Sequence, residues 1–138
     1  MIVDGFISLC TQAGAGQVAG GRVYRGVLPR GYTLPAVAVH RYNGTQDYDM
    51  NGPVGIREDF IQVDAYGDTA VDCETTAAAV RSLFVGFTGA LPDGTVVQGV
   101  FLERDMDMPF LPHADSKAIS YRSVLGFRIV SVNAAPED

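Results

Sequence analysis

The strongest hydrophobic and polar patterning in the chain lies in residues 57–86, REDFIQVDAYGDTAVDCETTAAAVRSLFVG, where a period of two gives way to a helical period. Ile61, Val63 and Ala65 fall on one side and Gln62 and Asp64 on the other, which predicts a strand with one buried face. Phe60 and Tyr66 share the more polar side. Two readings stand for this pair: a surface that meets another subunit, or two aromatics shielding an exposed sheet. Beyond the strand, Ala70, Cys73, Ala77, Val80 and Phe84 recur at steps of three and four, which makes one apolar stripe on a helix. Thr69 followed by Asp72 matches a capping pattern in which the hydroxyl satisfies an amide three residues on. Asp72 and Glu74 complement the dipole in the first turn, and Gly86 supplies the stop. The stripe is rich in small residues, so this helix is expected to lie close against a sheet.

The remaining segments read as partners of that strand and helix. Ile2, Phe6, Leu9, Cys10 and Ala13 have helical spacing and predict a short opening helix ended by Gly14. Residues 14–21, GAGQVAGG, read as a flexible connection. RVYRG (22–26) reads as a short strand, and PAVAVHRY (35–42) as a second with Val37 and Val39 inward. Residues 43–55 read as a long polar loop before the central strand. TVVQGVFLER (95–104) follows the turn signal Pro92-Asp93-Gly94 and predicts a fourth strand, bulged at Gly99. Residues 105–117 read as a second long loop. Residues 118–132 form the fifth strand, with Ile119, Tyr121, Leu125, Phe127 and Ile129 on one face and Ser120, Arg122 and Arg128 on the other. Residues 133–138 are expected to fray. The order α-β-β-β-α-β-β predicts one α+β domain over residues 1–138, with a mostly antiparallel sheet of five strands and both helices on one face. The other face and the sheet edges are then left for something else to cover.

Composition changes this picture mainly by exclusion. At 138 residues, 47% hydrophobic and 19% charged, the chain supports one domain with a true core and is not disordered. Its net charge of −6 argues against gripping nucleic acid, which needs clustered cations. No apolar run reaches the length of a membrane span, and the opening residues do not read as a signal peptide. Cys10 and Cys73 each fall on an apolar helical face and read as buried thiols of a reducing compartment rather than a disulfide.

Candidate chemistry is sparse. The glycines of residues 14–21 follow no strand and lack the Lys-Ser/Thr of a phosphate loop, so a linker is the better reading. Asp47, Asp49 and Asn51, followed by Gly52 and Glu58, fit the spacing of an EF-hand calcium loop, in which carboxylate and carbonyl oxygens surround a tight glycine turn. The flanking segments read as strands rather than helices, and Pro53 sits inside the loop, so a polar hairpin tip is preferred. Glu103, Asp105 and Asp107, with His113 and Asp115 nearby, form the other acidic cluster, which could hold Mg²⁺ or do acid–base work. They alternate with or flank Met106, Met108, Phe110 and Leu111, a composition that suits an interaction loop better than a catalytic cleft. His40 and His113 have no Cys or His at metal spacing, and Ser8, Ser82 and Ser123 lack a nucleophile-elbow pattern. No catalytic constellation survives, and no cofactor is implied.

Taken in order, the short opening helix, RVYRG, PAVAVHRY, FIQVDAYG, the helix from Thr69 and the closing strands ending in GFRIVSV resemble the tail-completion or tail-terminator proteins of long-tailed phages and phage-like particles. The likeness covers nearly the whole chain and rests on strand, glycine and helix patterns rather than on reactive residues. It implies a structural virion protein that forms a ring, six-fold in the family, at the head-proximal end of the tail. Such a ring stops the growth of the tail tube, contacts the tail tube protein and the connector proteins of the head's neck, and lets DNA pass through its lumen without specific binding. An acidic lumen would suit that passage, because like charges repel. On this resemblance Met106, Met108, Phe110 and Leu111, with Phe60 and Tyr66, are the candidate subunit or partner contacts, and no membrane is involved.

Overall fold

In chain order the elements are helix α1 (Ile2–Thr11), a 3-10 turn (Val18–Gly21), strands β1 (Val23–Arg25), β2 (Ala36–Asp49) and β3 (Gly52–Gly67), helix α2 (Ala70–Phe84), and strands β4 (Gly89–Ala90), β5 (Val96–Phe110) and β6 (Ser120–Val132). They come from a computed structural model, which describes residues 2–11, 18–28, 31, 34–49, 52–92, 94–110 and 120–132. The strands form one sheet in the order β1-β2-β3-β6-β5-β4. Its four long strands alternate in direction, and only the short β1 runs parallel to its neighbour, β2.

The alternation read from residues 60–66 places Ile61, Val63 and Ala65 in the core, with no solvent exposure. Leu125, Phe127 and Ile129 of β6 lie beside them and are equally closed. Both helices pack on this side: Phe6 of α1 and Val80 and Phe84 of α2 belong to the same buried cluster. Phe84 joins the layers, with its ring centroid 4.6 Å from Phe6 and 5.0 Å from Phe127. Such aromatic pairs add about 1 kcal/mol each beyond the area they bury.

The turn from β3 into α2 explains the small-residue stripe. Gly67 passes so close to the helix that a Cβ there would stand 2.6 Å from the Cys73 amide nitrogen. Thr69 caps α2 by accepting a hydrogen bond from the Asp72 amide at 3.0 Å, an arrangement that contributes about 1 kcal/mol. Cys73, Ala77 and Val80 then face the sheet, and Gly86 turns the chain away with a φ of +80°.

Three expectations need correction. The sheet has six strands, because Gly89 and Ala90 pair with Val97 and Val96 as a short edge strand that two residues cannot announce in a sequence. Residues 43–55 are not a loop: β2 continues to Asp49 and β3 begins at Gly52, a long ribbon with register shifts at Arg41/Asn43 and Gln46/Tyr48. The Asn, Gly and Asp content that lowers strand propensity there is overridden by continuous cross-strand pairing. Residues 105–110 likewise belong to β5, paired with β6 up to Phe110 opposite Ser120. The bulge expected at Gly99 is present as a register shift between Val97 and Gly99. The segment 14–21 ends in the 3-10 turn, while residues 12–17, 111–119 and 133–138 lie outside the described residues.

Candidate functional site

The sheet face away from the helices carries the unusual chemistry, and it is arranged as rows of paired charges capped by aromatic rings. Arg128 of β6 donates from Nε to Glu103 at 2.9 Å and from Nη1 to Glu58 at 3.2 Å. Its guanidinium also stacks 4.6 Å from the ring centroid of Phe101. The hydrogen bond to Glu103 is the largest influence raising the Arg128 pKa, so this cation never titrates in the working range. Six residues back along β6, Arg122 donates to Asp64 at 3.1 Å, Gln62 donates to the same carboxylate at 3.0 Å, and the guanidinium lies 5.8 Å from the Tyr66 centroid. Each of these arginines therefore has carboxylate partners inside the fold.

A second ionic knot lies toward the β2–β3 ribbon. Asp59, only 1% exposed, accepts from Arg41 Nη1 at 3.2 Å and from Arg57 Nε at 3.2 Å. Gly44 passes directly over it: a Cβ there would meet Arg41 Nη1 at 2.6 Å and Asp59 Oδ1 at 2.9 Å.

On β5 the same open face carries exposed apolar side chains beside Glu103 and Arg104. Phe101, Met106 and Met108 are 46%, 45% and 38% exposed, and their register opposite Arg128, Val124 and Arg122 places all three on one side. At this end of the sheet a groove of about 280 Å³ lies between α2, β5 and β6, lined by Ala70, Cys73, Glu74, Asp107, Met108 and Tyr121 among others. At its base Ser123 donates to Asp107 at 2.6 Å and lies 3.3 Å from the Cys73 sulfur. Burial is the main cause that raises the Cys73 pKa, with Asp107 and Glu74 adding to it. The thiol is protonated at neutral pH, and nucleophilic attack needs the thiolate. Burial pushes Cys10 up as well, to about 12. Both cysteines are free thiols.

The structure separates the residues singled out from the sequence. Met106 and Met108 are exposed neighbours on one face of a strand rather than members of a loop. The backbone of Phe110 ends that strand, and Leu111 lies outside the described residues. Phe60 is half-buried, 6.0 Å from Tyr42, whereas Tyr66 is only 8% exposed and turns little surface outward. For the calcium spacing, Asp47 and Asp49 lie on β2, Asn51 is outside the described residues, and Glu58 stands opposite Thr45, well up the ribbon and bonded to Arg128. Among the described residues no group of three or more His, Cys, Asp or Glu side chains converges on a metal-sized site. Sequence reasoning missed the Ser123–Asp107 contact and the Asp59 knot. The first joins residues on different strands with no motif between them; the second depends on the register that brings β2 beside β3, which no spacing within one segment announces.

No known protein-family profile matches the chain, and no curated protein is similar to it in sequence. Its fold is similar to that of a solved chain from the virion of a native gene transfer agent particle, with a TM-score of 0.66 and 19% sequence identity. The likeness spans 93% of this chain and 92% of that one, so the two share one architecture from end to end.

Proposed function

We propose that this protein is a structural component of a phage-like virion, forming a ring at the head-proximal end of the tail that ends tube growth and joins the tail to the head. The observation that carries the reading is the end-to-end fold likeness to a chain of a gene transfer agent virion. The chemistry of the molecule supports it. The open face is built of internally neutralised charges, the groove thiol is protonated, and the exposed features are apolar side chains and strand edges, which serve contact rather than turnover. The partners are further copies of the chain, the tail tube protein and the neck connectors, and a net charge of −6 suits a lumen through which DNA slides.

The test is to produce particles lacking this protein and view them by electron microscopy. A terminator's absence leaves the tube end open to further subunits, so long, headless tails of uneven length are expected, and adding the purified protein should restore uniform ones. Normal tails joined to heads in its absence overturn the reading.

A further inference from the structure

The two edges of the sheet are stepped, and the steps are complementary. On one side β1 covers β2 only at Val37, Ala38 and Val39, so among the described residues the outer edge of β2 has no strand beside it from His40 onward. On the other side β4 covers β5 only at Val96 and Val97, which among the described residues leaves the outer edge of β5 without a strand from Gly99 to Phe110. The two short strands stand at opposite ends of the sheet. A second copy placed edge to edge therefore fits its β1 beside the bare part of β5, and its bare β2 beside β4.

Direction and register support the same arrangement. Four long strands alternating in direction mean that β5 runs opposite to β1 and β2, so a neighbour in the same orientation presents them antiparallel to β5. One row of the sheet passes through Arg25, Val39, Val63, Leu125 and Asp105; the next passes through Tyr24, Ala38, Asp64, Val124 and Met106. With the strands along a ring axis, each row that leaves one copy on β5 enters the next on β1. Asp105 then meets the neighbour's Arg25 on one face, and Met106 meets its Tyr24 on the other.

Charge agrees. Beside β1, residues 18–28 carry Arg22 and Arg25 without an acid, and α1 adds only Asp4; β2 carries Arg41, which is bonded to Asp59, and Asp47 and Asp49 toward its far end. Along β5, Glu103, Asp105 and Asp107 outnumber Arg104. Pairing β5 with β5 would set like charges together, whereas pairing it with β1 sets opposite charges together, and a contact between two different surfaces forms a ring where its rotation closes. The present partners, Asp4 on Arg25 at 3.2 Å and Arg81 on Asp105 at 3.1 Å, are solvent-exposed pairs that hold weakly and leave both residues available.

We infer that copies of this chain join head to tail through the β5 edge of one and the β1–β2 edge of the next, with Asp105 against Arg25. The inference names the subunit contact of the ring proposed above and rests on that reading. The test is native mass measurement on Arg25→Glu, on Asp105→Arg and on the chain carrying both. Each single variant is expected to fall from ring to monomer, because it places like charges across the contact. An equimolar mixture of the two should assemble again, in even-numbered rings, and the double variant should assemble alone. Rings of unchanged mass from both single variants, or a mixture that stays monomeric, overturn this contact and leave the ring reading standing. Wild-type protein that stays monomeric at every concentration, with no Tyr24→Cys/Met106→Cys crosslink between copies, overturns both.

Discussion

Arg41 Nη1 lies 3.2 Å from Asp59 Oδ1, and that contact makes the exposed ribbon an extension of the fold rather than an appendage. Asp59 lies beside its cross-strand partner Gly44, and Arg57 bonds the same carboxylate oxygen that Arg41 does. Removing the carboxylate leaves two arginines that are one-third exposed and able to regain water, so Asp59→Ala is expected to cost about 2 kcal/mol rather than the larger cost of orphaning a deeply buried charge. Gly44→Ala should cost about 1 kcal/mol by pushing Arg41 off the carboxylate. Because both act on one knot, the double variant should lose less than the two losses added. Urea unfolding of the three variants checks this, and strict additivity would refute the coupling.

The buried thiols predict a specific alkaline weakness. Burial raises Cys10 from 9.0 in the open chain to about 12 in the fold, so above pH 9 the unfolded chain gives up a proton that the native state keeps. Stability from this group is complete below pH 9 and is lost as pH rises toward 12, with a slope of about 1.4 kcal/mol per pH unit within that window. Urea midpoints measured at pH 8, 9, 10 and 11 should fall more steeply for the wild type than for Cys10→Ala. Parallel curves would remove Cys10 as the cause.

For the calcium spacing, the expected result is no effect. Glu58, the residue that would close the loop, is bonded to Arg128, and it sits about six residues up β3 from the ribbon end, roughly 20 Å at strand rise. Melting of the wild type, Asp47→Ala and Glu58→Ala should therefore be the same in Ca²⁺ and in chelator. A rise of several degrees in Ca²⁺ that either substitution abolishes would establish a native-state cation site, since a ligand that binds only the fold must stabilise it.

What the sequence made legible follows the range of each interaction. The β3–α2 unit was readable because its signals are local: the Ile61, Val63, Ala65 alternation, the Thr69 cap and the Gly86 stop all lie within thirty residues and agree with one another. The extents of β2 and β5 were not, because Asn43, Gly44 and Asp105 are poor strand formers held in the sheet by partners up to twenty residues away. Yet Asp105, Met106, Asp107 and Met108 do alternate polar and apolar with a period of two. Reading that period instead of the acidic composition would have found the rest of β5. The ion pairs of the open face join strands brought together only by the fold, and no spacing in one chain announces them.

The apolar row on β5 supplies the last test. Phe101, Met106 and Met108 share one face of a strand whose outer edge is bare among the described residues, and each keeps about two-fifths or more of its surface in water. In a monomer about two-fifths of the transfer gain of each of these side chains is left unrealised. A neighbour's Tyr24 seated on Met106 would recover it. Met106→Ser with Met108→Ser is therefore expected to change folding stability by less than about 1 kcal/mol per site while lowering assembly on tail tubes at least tenfold, the separation that marks a contact surface rather than core. The competing account is that the row packs under residues of its own chain, in which case both substitutions would open cavities. Thermal melting and tube-binding assays on one preparation decide between them. A large loss of stability, with the surviving folded protein still binding tubes at wild-type strength, would place the methionines in the core and remove them from the interface.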